Sequence, residues 1–260
     1  MSAIVKPALS IPEIQYRQIL GLQFFTGTTA QAVDLMKAGG LLVVPAAPAL
    51  KDLPLNSAYR EALLAADLTI PDSGFMVLLW NLIARDSIPK VSGLAYLRHL
   101  LLEDDFRKPG ETFWVMCSAA SSTRNREWLK SQAFGVADED VYIAPMYGSG
   151  HIEDAGLLSV LRTRCPRHIV ITLGGGTQER LGIYLKQNLE FRPAIHCVGA
   201  ALAFLSGDQV RIPVWADKLF MGWLFRCLSQ PKHYIGRYWS ARKLLPLMLR
   251  YRDQLPSSKV

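Results

Sequence analysis

One glycine-rich stretch is well suited to bind a ligand, and it consists of Gly174, Gly175, Gly176, Thr177, Gln178 and Glu179. It follows the apolar run 168–173 and opens a helix predicted to extend to residue 188. Glycines at the end of a strand expose backbone N–H groups at the positive end of the next helix dipole, where a phosphate can bind. The same turn is also an ordinary way to pack a helix closely on a sheet, and spacing alone does not separate the two roles.

Two common nucleotide-binding motifs are absent from this stretch, and their absence disfavours some nucleotides. It matches neither the GxGxxG pattern nor the phosphate loop that ends in Gly-Lys-Ser/Thr, which argues against a dinucleotide or ATP. Gln178 and Glu179 add hydrogen-bonding groups that suit a uridine or a ribose hydroxyl, although a glutamate in a first turn also complements the helix dipole. We therefore expect a nucleotide-like ligand.

A second motif supplies a carboxylate at the end of another predicted strand. The segment 70–74 reads IPDSG and precedes an apolar helix, so it delivers Asp72 into a turn. A lone aspartate in such a place most often forms an Asx turn or caps the next helix. The functional alternative is a general base that removes a proton from an attacking hydroxyl group.

Both motifs depend on a sheet that brings strand ends together. Short β-rich runs alternate with helical ones, which predicts an α/β fold: a Rossmann-like, mainly parallel sheet with helices on both faces. The predicted strands are 22–26, 41–45, 68–70, 112–117, 141–144, 169–173 and 194–198. The predicted helices are 29–38, 57–66, 74–84, 93–103, 122–133, 154–164 and 178–188. Ligands of such sheets bind beyond the carboxyl ends of the strands, where Pro45, Asp72, Cys117, Pro145 and Gly174 fall.

Composition sets further limits on the class of protein. The chain has 260 residues, 50% of them hydrophobic, and can bury a large core. Its net charge of +7 predicts an anionic partner, which charge alone does not identify. The 4 cysteines form no CxxC pair, so the sequence indicates neither a zinc site nor a disulfide framework and fits a reducing cytosol. The N-terminus lacks the pattern of a signal peptide, and no apolar run reaches about 18 residues, so we expect neither export nor a membrane span.

The composition changes after about Gly207, and this change predicts residues 1–207 as the core and 208–260 as a basic, aromatic-rich appendage. Asp217 is the only acid between Arg211 and Arg252, while tryptophans, tyrosines and cations alternate there. Such a segment can lie at an anionic bilayer surface or stack on nucleic acid. The leucine-rich run 244–249 favours lipid, and no recognised nucleic-acid motif supports the second reading. A third reading is a helix that docks its apolar face on the core.

No metal and no cofactor are expected. The acidic run 138–140 precedes its strand, so it lies at the edge of the sheet opposite the ligand rim. The five histidines show no metal-ligand spacing.

Several ordered segments carry a resemblance to a known family. They are 66–72 (ADLTIPD), 90–93 (KVSG), 173–179 (LGGGTQE), 198–207, 211–213 (RIP), Trp223, Arg226, Pro231 and 237–238 (RY). Together, from about Leu22 to about Trp239, they resemble the WecG/TagA/CpsF glycosyltransferase family. The resemblance implies a Rossmann-like fold with a basic C-terminal appendage that reaches the membrane.

The resemblance also implies a reaction. A sugar would pass from a UDP-sugar to a polyprenyl-diphosphate-linked glycan, with inversion and without a required metal. This would occur in surface or exopolysaccharide synthesis on the inner face of the cytoplasmic membrane. Asp72 would be the base, and Lys90 with the stretch Gly174, Gly175, Gly176, Thr177, Gln178 and Glu179 would bind the donor. The cations for the acceptor diphosphate would be Arg211, Arg226 and Arg237.

The chain departs from the family pattern at several positions. Ala46 lies where a Thr-x-Asn is usual, Leu202 and Ala203 replace a Phe-Asp pair, Lys90 replaces an arginine, and Ala95 replaces an acidic residue. These changes keep open a catalytically silent subunit that binds a sugar nucleotide or a lipid-linked glycan. The sequence names neither the sugar nor the oligomeric state, and a homo-oligomer is compatible with it.

Overall fold

The structure is a computed structural model that describes residues 16–209, 222–229 and 231–258. Within these ranges the chain forms an α/β fold around one sheet of eight strands. The strands are β1 (Tyr16–Ile19), β2 (Leu22–Phe25), β3 (Gly40–Val43), β4 (Leu68–Thr69), β5 (Thr112–Met116), β6 (Val141–Ile143), β7 (His168–Ile171) and β8 (Ala194–Cys197). Their order across the sheet is β1-β2-β4-β3-β8-β7-β5-β6, with β1 antiparallel to β2 and the other pairs parallel. The predicted fold class is confirmed.

Helices connect the strands and cover both faces of the sheet. They are α1 (Thr29–Met36), α2 (Ala47–Leu50), α3 (Ser57–Leu64), α4 (Gly74–Ala84), α5 (Gly93–Leu100), α6 (Asp104–Arg107), α7 (Ala119–Ser131), α8 (Ala155–Arg164), α9 (Thr177–Asn188) and α10 (Ala201–Ser206). The C-terminal helices that the structure describes are α11 (Gly222–Ser229), α12 (Pro231–Ala241) and α13 (Leu244–Tyr251). A single 3₁₀ turn, Asp138–Asp140, precedes β6.

The central strands are buried on both faces, as parallel strands between helical layers must be. Along β3 the side chains alternate: Leu41 and Val43 join one apolar cluster, whereas Leu42 joins the other. The first cluster contains residues of α2, α3, α4, α8, α9 and α13, and the second contains residues of α1, α5, α6, α7 and α10. The sheet is therefore fixed between two apolar layers, and its strand ends form a stable rim.

All seven predicted strands are present, with ends that differ by one or two residues. Strand β1 was not predicted, because its first three residues are exposed and show no buried apolar run. Leu20 and Gly21, which join β1 to β2, both have positive φ angles, as a two-residue hairpin turn requires. Helix α7 begins earlier than predicted because Ser118 caps it by accepting the backbone N–H of Ser121.

The C-terminal region packs on the sheet domain. Leu244 and Met248 of α13 are fully buried in the first apolar cluster, against the layer that contains α2 and α4. The backbone N–H groups of Leu20 and Gly21 donate to the carbonyls of Arg252 and Asp253 at 2.7 and 2.8 Å. Two of the leucine-rich residues that favoured lipid in the sequence thus face the core. The division at residue 207 and the membrane role of the appendage stay predictions, and Arg211 lies outside the described residues.

We predict that Gly21→Ala weakens the attachment of the C-terminal segment. A Cβ at Gly21 would lie 2.5 Å from Cβ and 2.8 Å from Cα of Leu255. Gly110 is a matched control. Its φ of +77° is close to the +75° of Gly21, so alanine is strained similarly at both positions, but a Cβ on Gly110 meets nothing within 4 Å. Denaturant unfolding should show Gly21→Ala to lose about 1–3 kcal/mol more than Gly110→Ala. Equal losses would show that the contact with Leu255 contributes nothing.

Candidate functional site

A cavity of about 260 Å³ lies at the carboxyl ends of the strands, where ligands of open α/β sheets bind. Residues that follow five neighbouring strands line it: Asp72 after β4, Val44 and Ala46 after β3, Val198 and Gly199 after β8, Gly174 and Gly175 after β7, and Cys117 after β5. Because these strands are adjacent and parallel, segments far apart in the sequence meet at one edge. Of the five predicted rim residues, Asp72, Cys117 and Gly174 line this cavity, whereas Pro45 and Pro145 do not.

Asp72 is held in this cavity by the start of a helix other than the one it precedes. Ser73, not Asp72, caps α4, because its Oγ accepts the backbone N–H of Met76. Oδ1 of Asp72 instead accepts the backbone N–H of Gly93, at the start of α5, at 2.8 Å. The carboxylate is half-buried and is oriented by this bond. The cap role that the sequence favoured thus belongs to Ser73.

The glycine loop is held from below by buried side chains of α9. Gly176 has a φ of +92°, and its N–H donates to Oε2 of Glu179 at 2.6 Å. Nε2 of Gln178 donates to Oε1 of Glu179 at 3.1 Å, and Oε1 of Gln178 accepts the N–H of Gly199 at 2.7 Å. Both side chains are almost fully buried. This network joins the loop after β7 to the loop after β8.

Burial raises the pKa of the Glu179 carboxyl, while the donors from Gln178 and Gly176 oppose that rise. The same burial places Glu179 beneath the cavity wall. Of the predicted donor-binding stretch, Gly174, Gly175 and Gln178 line the cavity. The other members, Gly176, Thr177 and Glu179, hold the loop in shape.

Arg180 fixes a second loop to the glycine loop, and the sequence analysis did not identify it. Its Nε donates to the carbonyl of Gly176 at 2.7 Å, and its Nη1 donates to the carbonyls of Gly148, at 2.7 Å, and Gly150. The side chain is buried although it is charged. Five donors in a planar group allow one arginine to satisfy several carbonyls at once.

A second cavity, of about 470 Å³, adjoins the first. Its wall is largely apolar and aromatic, with Phe75 from α4 and Trp223, Ile235, Tyr238 and Trp239 from the C-terminal helices. Four residues line both cavities: Ala46, Asp72, Arg226 and Arg237. Asp72 therefore lies where the first cavity, whose lining is partly polar, meets the largely apolar second one; we call them the polar and the apolar cavity.

Two of the predicted arginines are at this junction. The guanidinium of Arg226 stacks on the ring of Phe204 at 4.4 Å, and its Nη1 donates to the hydroxyl of Tyr238 at 3.0 Å. Its Nε is buried and has no hydrogen-bond partner among the described residues. Arg237 is exposed, and its Nη2 lies 3.9 Å from where a Cβ on Gly175 would be. Both cations can approach a diphosphate held by the glycine loop.

Lys90 lies apart from the glycine loop. It is half-buried and lines the second cavity together with Asp72. Its predicted role in donor binding stays a prediction, since this position also suits an acceptor. Lysine presents a point charge and lacks the planar fork of the arginine usual in the family.

A polar cluster at the other end of the first cavity was missed by the sequence analysis. It comprises Ser121, Asn125, Asp208 and Gln209, which line the cavity next to Cys117. The available signal was weak: a serine cap, Ser118, three residues before Ser121. The partners come from α7 and from the turn after α10, so their meeting depends on tertiary structure.

Metal-binding groups are not assembled in the part of the chain that the structure describes. No three His, Cys, Asp or Glu side chains there come together as a metal site. The acidic run Asp138–Asp140 forms a 3₁₀ turn before β6, at the sheet edge opposite the cavity as expected, where Asp140 pairs with Arg164 at 2.5 Å. Metal independence of the reaction stays a prediction.

The fold and the paired cavities define a protein with an α/β ligand site at the carboxyl edge of its sheet, open on one side to an apolar surface. The model of the glycosyl transferase WecG/TagA/CpsF family matches residues 17–258, and the chain belongs to this family. No curated protein matches the chain. Membership indicates a glycosyltransferase of cell-wall polysaccharide synthesis, a family that uses a nucleotide-sugar donor and a lipid-linked acceptor.

We predict that Arg180→Ala loosens the loop 145–150 and lowers the free energy of unfolding by about 1–3 kcal/mol, because it removes the charged donor that joins the carbonyls of Gly148 and Gly150 to that of Gly176. Hydrogen exchange in that loop should rise, and nucleotide binding should weaken because the glycine loop is less fixed. Arg162→Ala is the control: this exposed arginine also donates to a carbonyl, that of Asn188 at 3.0 Å, but far from the cavity. Unchanged exchange in the loop would contradict the role assigned to Arg180.

Proposed function

We propose that this chain is an inverting, metal-independent glycosyltransferase that moves a sugar from a UDP-sugar to a polyprenyl-diphosphate-linked glycan. The site of action would be the inner face of the cytoplasmic membrane, in surface or exopolysaccharide synthesis. The observation that carries the proposal is the position of Asp72, at the junction of a polar and an apolar cavity. One carboxylate is thereby in reach of two ligands of opposite character.

The donor would occupy the polar cavity. A diphosphate there meets Gly174 and Gly175 at the start of α9, where backbone N–H groups and the helix dipole favour negative charge. Arg226 and Arg237 add positive charge at the same place. This arrangement would place the transferred sugar between the diphosphate and Asp72.

The acceptor would occupy the apolar cavity. Phe75, Trp223, Ile235 and Trp239 offer the surface that an isoprenoid chain needs, and Lys90 with the two shared arginines offers charge for its diphosphate. The lipid-linked glycan would then present its hydroxyl to Asp72 from the side opposite the donor.

Inversion follows from a single displacement in this geometry. Asp72 takes the proton of the acceptor hydroxyl as its oxygen attacks the anomeric carbon, and the bond from that carbon to the diphosphate oxygen breaks. The nucleoside diphosphate leaves with the bonding electrons, and the arginines stabilise its developing charge. The bond from Gly93 to Oδ1 would hold the carboxylate so that Oδ2 faces the hydroxyl.

Membrane contact would involve the core as well as the C-terminal helices. Phe75, Leu78 and Leu82 of α4 are exposed and follow a helical i, i+3, i+7 spacing, and Leu245 and Leu249 are exposed on the adjoining α13. Arg242 and Lys243, in the turn before α13, and Arg250, on α13, are exposed. An apolar face bordered by cations suits an anionic bilayer surface. No helix among the described residues is long and apolar enough to cross a bilayer.

A catalytically silent subunit is the alternative, and one observation favours it. Ala46 and Ala203, which replace polar residues usual in the family, both line the donor cavity. A protein that had lost those groups could retain ligand binding without transfer.

Asp72→Asn separates the two functions. The amide keeps an oxygen for the N–H of Gly93 but cannot accept a proton, so we expect transfer to fall by about 10²–10⁴-fold. The wild-type protein and Asp72→Asn should bind a UDP-sugar equally well. We would measure this binding as thermal stabilisation, with and without EDTA. If the wild-type protein binds the donor but neither transfers nor hydrolyses it with a lipid-linked acceptor, the silent subunit is the correct function.

Leu82→Glu tests the membrane surface. Leu82 is 78% exposed on α4, and Leu102 is 74% exposed elsewhere, so Leu102→Glu is a control with the same change at the same exposure. We expect Leu82→Glu to reduce flotation with anionic vesicles several-fold, since a charge replaces an apolar contact and repels the lipid. Equal flotation of both variants would exclude α4 from the contact surface.

A further inference from the structure

The polar cluster at the far end of the donor cavity is largely buried and is joined by hydrogen bonds. The side chain of Asp208 is only 9% exposed. Oγ of Ser121 donates to its Oδ2 at 2.6 Å, and Arg124 pairs with its Oδ1. Asp208 nevertheless lines the cavity.

Further hydrogen bonds hold the partners of Asp208 in place. Nδ2 of the buried Asn125 donates to Oγ of Ser121 at 3.3 Å, and Oγ of Ser206 donates to Oδ1 of Asn125 at 2.6 Å. The hydroxyl of Tyr234 donates to Oε1 of Gln209 at 3.1 Å. A side chain fixed from several directions is arranged in advance for a ligand.

The sheet separates this cluster from Asp72. Asp72 follows β4 and Ser121 follows β5, and the strands β3, β8 and β7 lie between them. At the usual strand spacing this corresponds to roughly 19 Å along the rim. An extended nucleotide sugar has a comparable length, so its two ends can reach the two carboxylates.

Charge decides which end of the donor lies at Asp208. A diphosphate is repelled by a carboxylate. It is attracted by the glycine loop, which follows β7 between the two carboxylates, and by Arg226 and Arg237, which line the second cavity together with Asp72. The transferred sugar must lie at Asp72 if that residue serves the acceptor. The neutral, hydroxyl-bearing nucleoside is the part of the donor that remains for Asp208.

We propose that Asp208, oriented by Ser121, binds the vicinal hydroxyl groups of the donor ribose and thereby sets the direction in which the donor lies. This inference rests on the proposed function. Oδ1 of Asp208 is paired with both Nε and Nη2 of Arg124, whereas Oδ2 accepts the hydroxyl of Ser121 and keeps a further acceptor position. Hydroxyl groups rotate to meet such positions, and a carboxylate bound to ribose hydroxyls is a recurring device in nucleotide sites of α/β folds.

The proposal also accounts for one departure of this chain from its family. Ala203 lines the donor cavity and offers no hydrogen bond there. Asp208, five residues further along the chain, lines the same cavity, and the N–H of Gln209 donates to the carbonyl of Ala203 at 3.0 Å. The turn after α10 thus restores a carboxylate to the wall that Ala203 lacks.

Binding of UDP and 2′,3′-dideoxy-UDP to the full chain tests the proposal. Asp208→Ala should weaken UDP about tenfold or more, as expected for hydrogen bonds to a charged group, and leave dideoxy-UDP within about twofold. Asp138→Ala is the matched control, because Asp138 also pairs with an arginine of α7, Arg126, but is 86% exposed outside the cavity. If Asp208→Ala does not fold, Asp208→Asn carries the test with the same ligands and a smaller loss.

The possible results separate the role of Asp208 from the proposed function. Equal weakening of both ligands, or weakening of neither, overturns the role of Asp208 and leaves the proposed function in place. Tighter binding of GDP than UDP, abolished by Asp208→Ala, would show that the carboxylate reads a guanine edge and would overturn both the ribose assignment and the UDP donor. Failure of the wild-type chain to bind any nucleoside diphosphate would overturn the proposed function and this inference together.

Discussion

The site depends on the hydrogen bonds that the buried carboxyl of Glu179 accepts. Removing a carboxyl from water is costly unless its oxygens are hydrogen-bonded, and here the N–H of Gly176 and the amide of Gln178 serve them. Gln178 continues the network to Gly199. The loops after β7 and β8 are therefore one rigid unit. A phosphate site made of backbone N–H groups needs such rigidity, because its donors have no side-chain freedom to compensate for a misplaced loop.

The remaining parts of the site are built outward from this unit. Arg180 joins the loop that contains Gly148 and Gly150 to the carbonyl of Gly176, and Nη2 of Arg237 lies near Gly175. The C-terminal helices can present Arg226 and Arg237 because α13 is anchored by Leu244 and Met248 in the core. The apolar cavity thus exists only when those helices are docked, which couples the proposed acceptor site to the integrity of the C-terminal region.

Much of the fold was readable from the sequence because buried parallel strands are short apolar runs with glycine or proline at their ends. The rim positions followed from that pattern alone, and Asp72 and the glycine loop do lie there. The sequence did not predict which residues of the glycine loop line the cavity and which hold the loop in shape. Whether Gln178 and Glu179 face a ligand or a buried network depends on what Gly199 offers, about twenty residues away. The same limit applies to Asp208 and Ser121, which meet only because α7 and α10 pack together. The exposed face of α4 escaped notice because an apolar helix predicts burial, and solvent exposure is a property of the assembled surface.

The positions at which the chain departs from the family pattern lie in different parts of the two cavities. Ala46 and Ala203 leave the wall of the polar cavity without polar side chains at two places, one near Asp72 and one beside the turn that carries Asp208. Lys90, in contrast, lies in the apolar cavity. Under the proposed function, losses near Asp72 would alter contacts to the transferred sugar, whereas the wall near Asp208 would contact the nucleoside. If Asp208 replaces the missing carboxylate, nucleotide recognition is retained while the sugar pocket is changed. Such a pattern is what a change of sugar specificity would require.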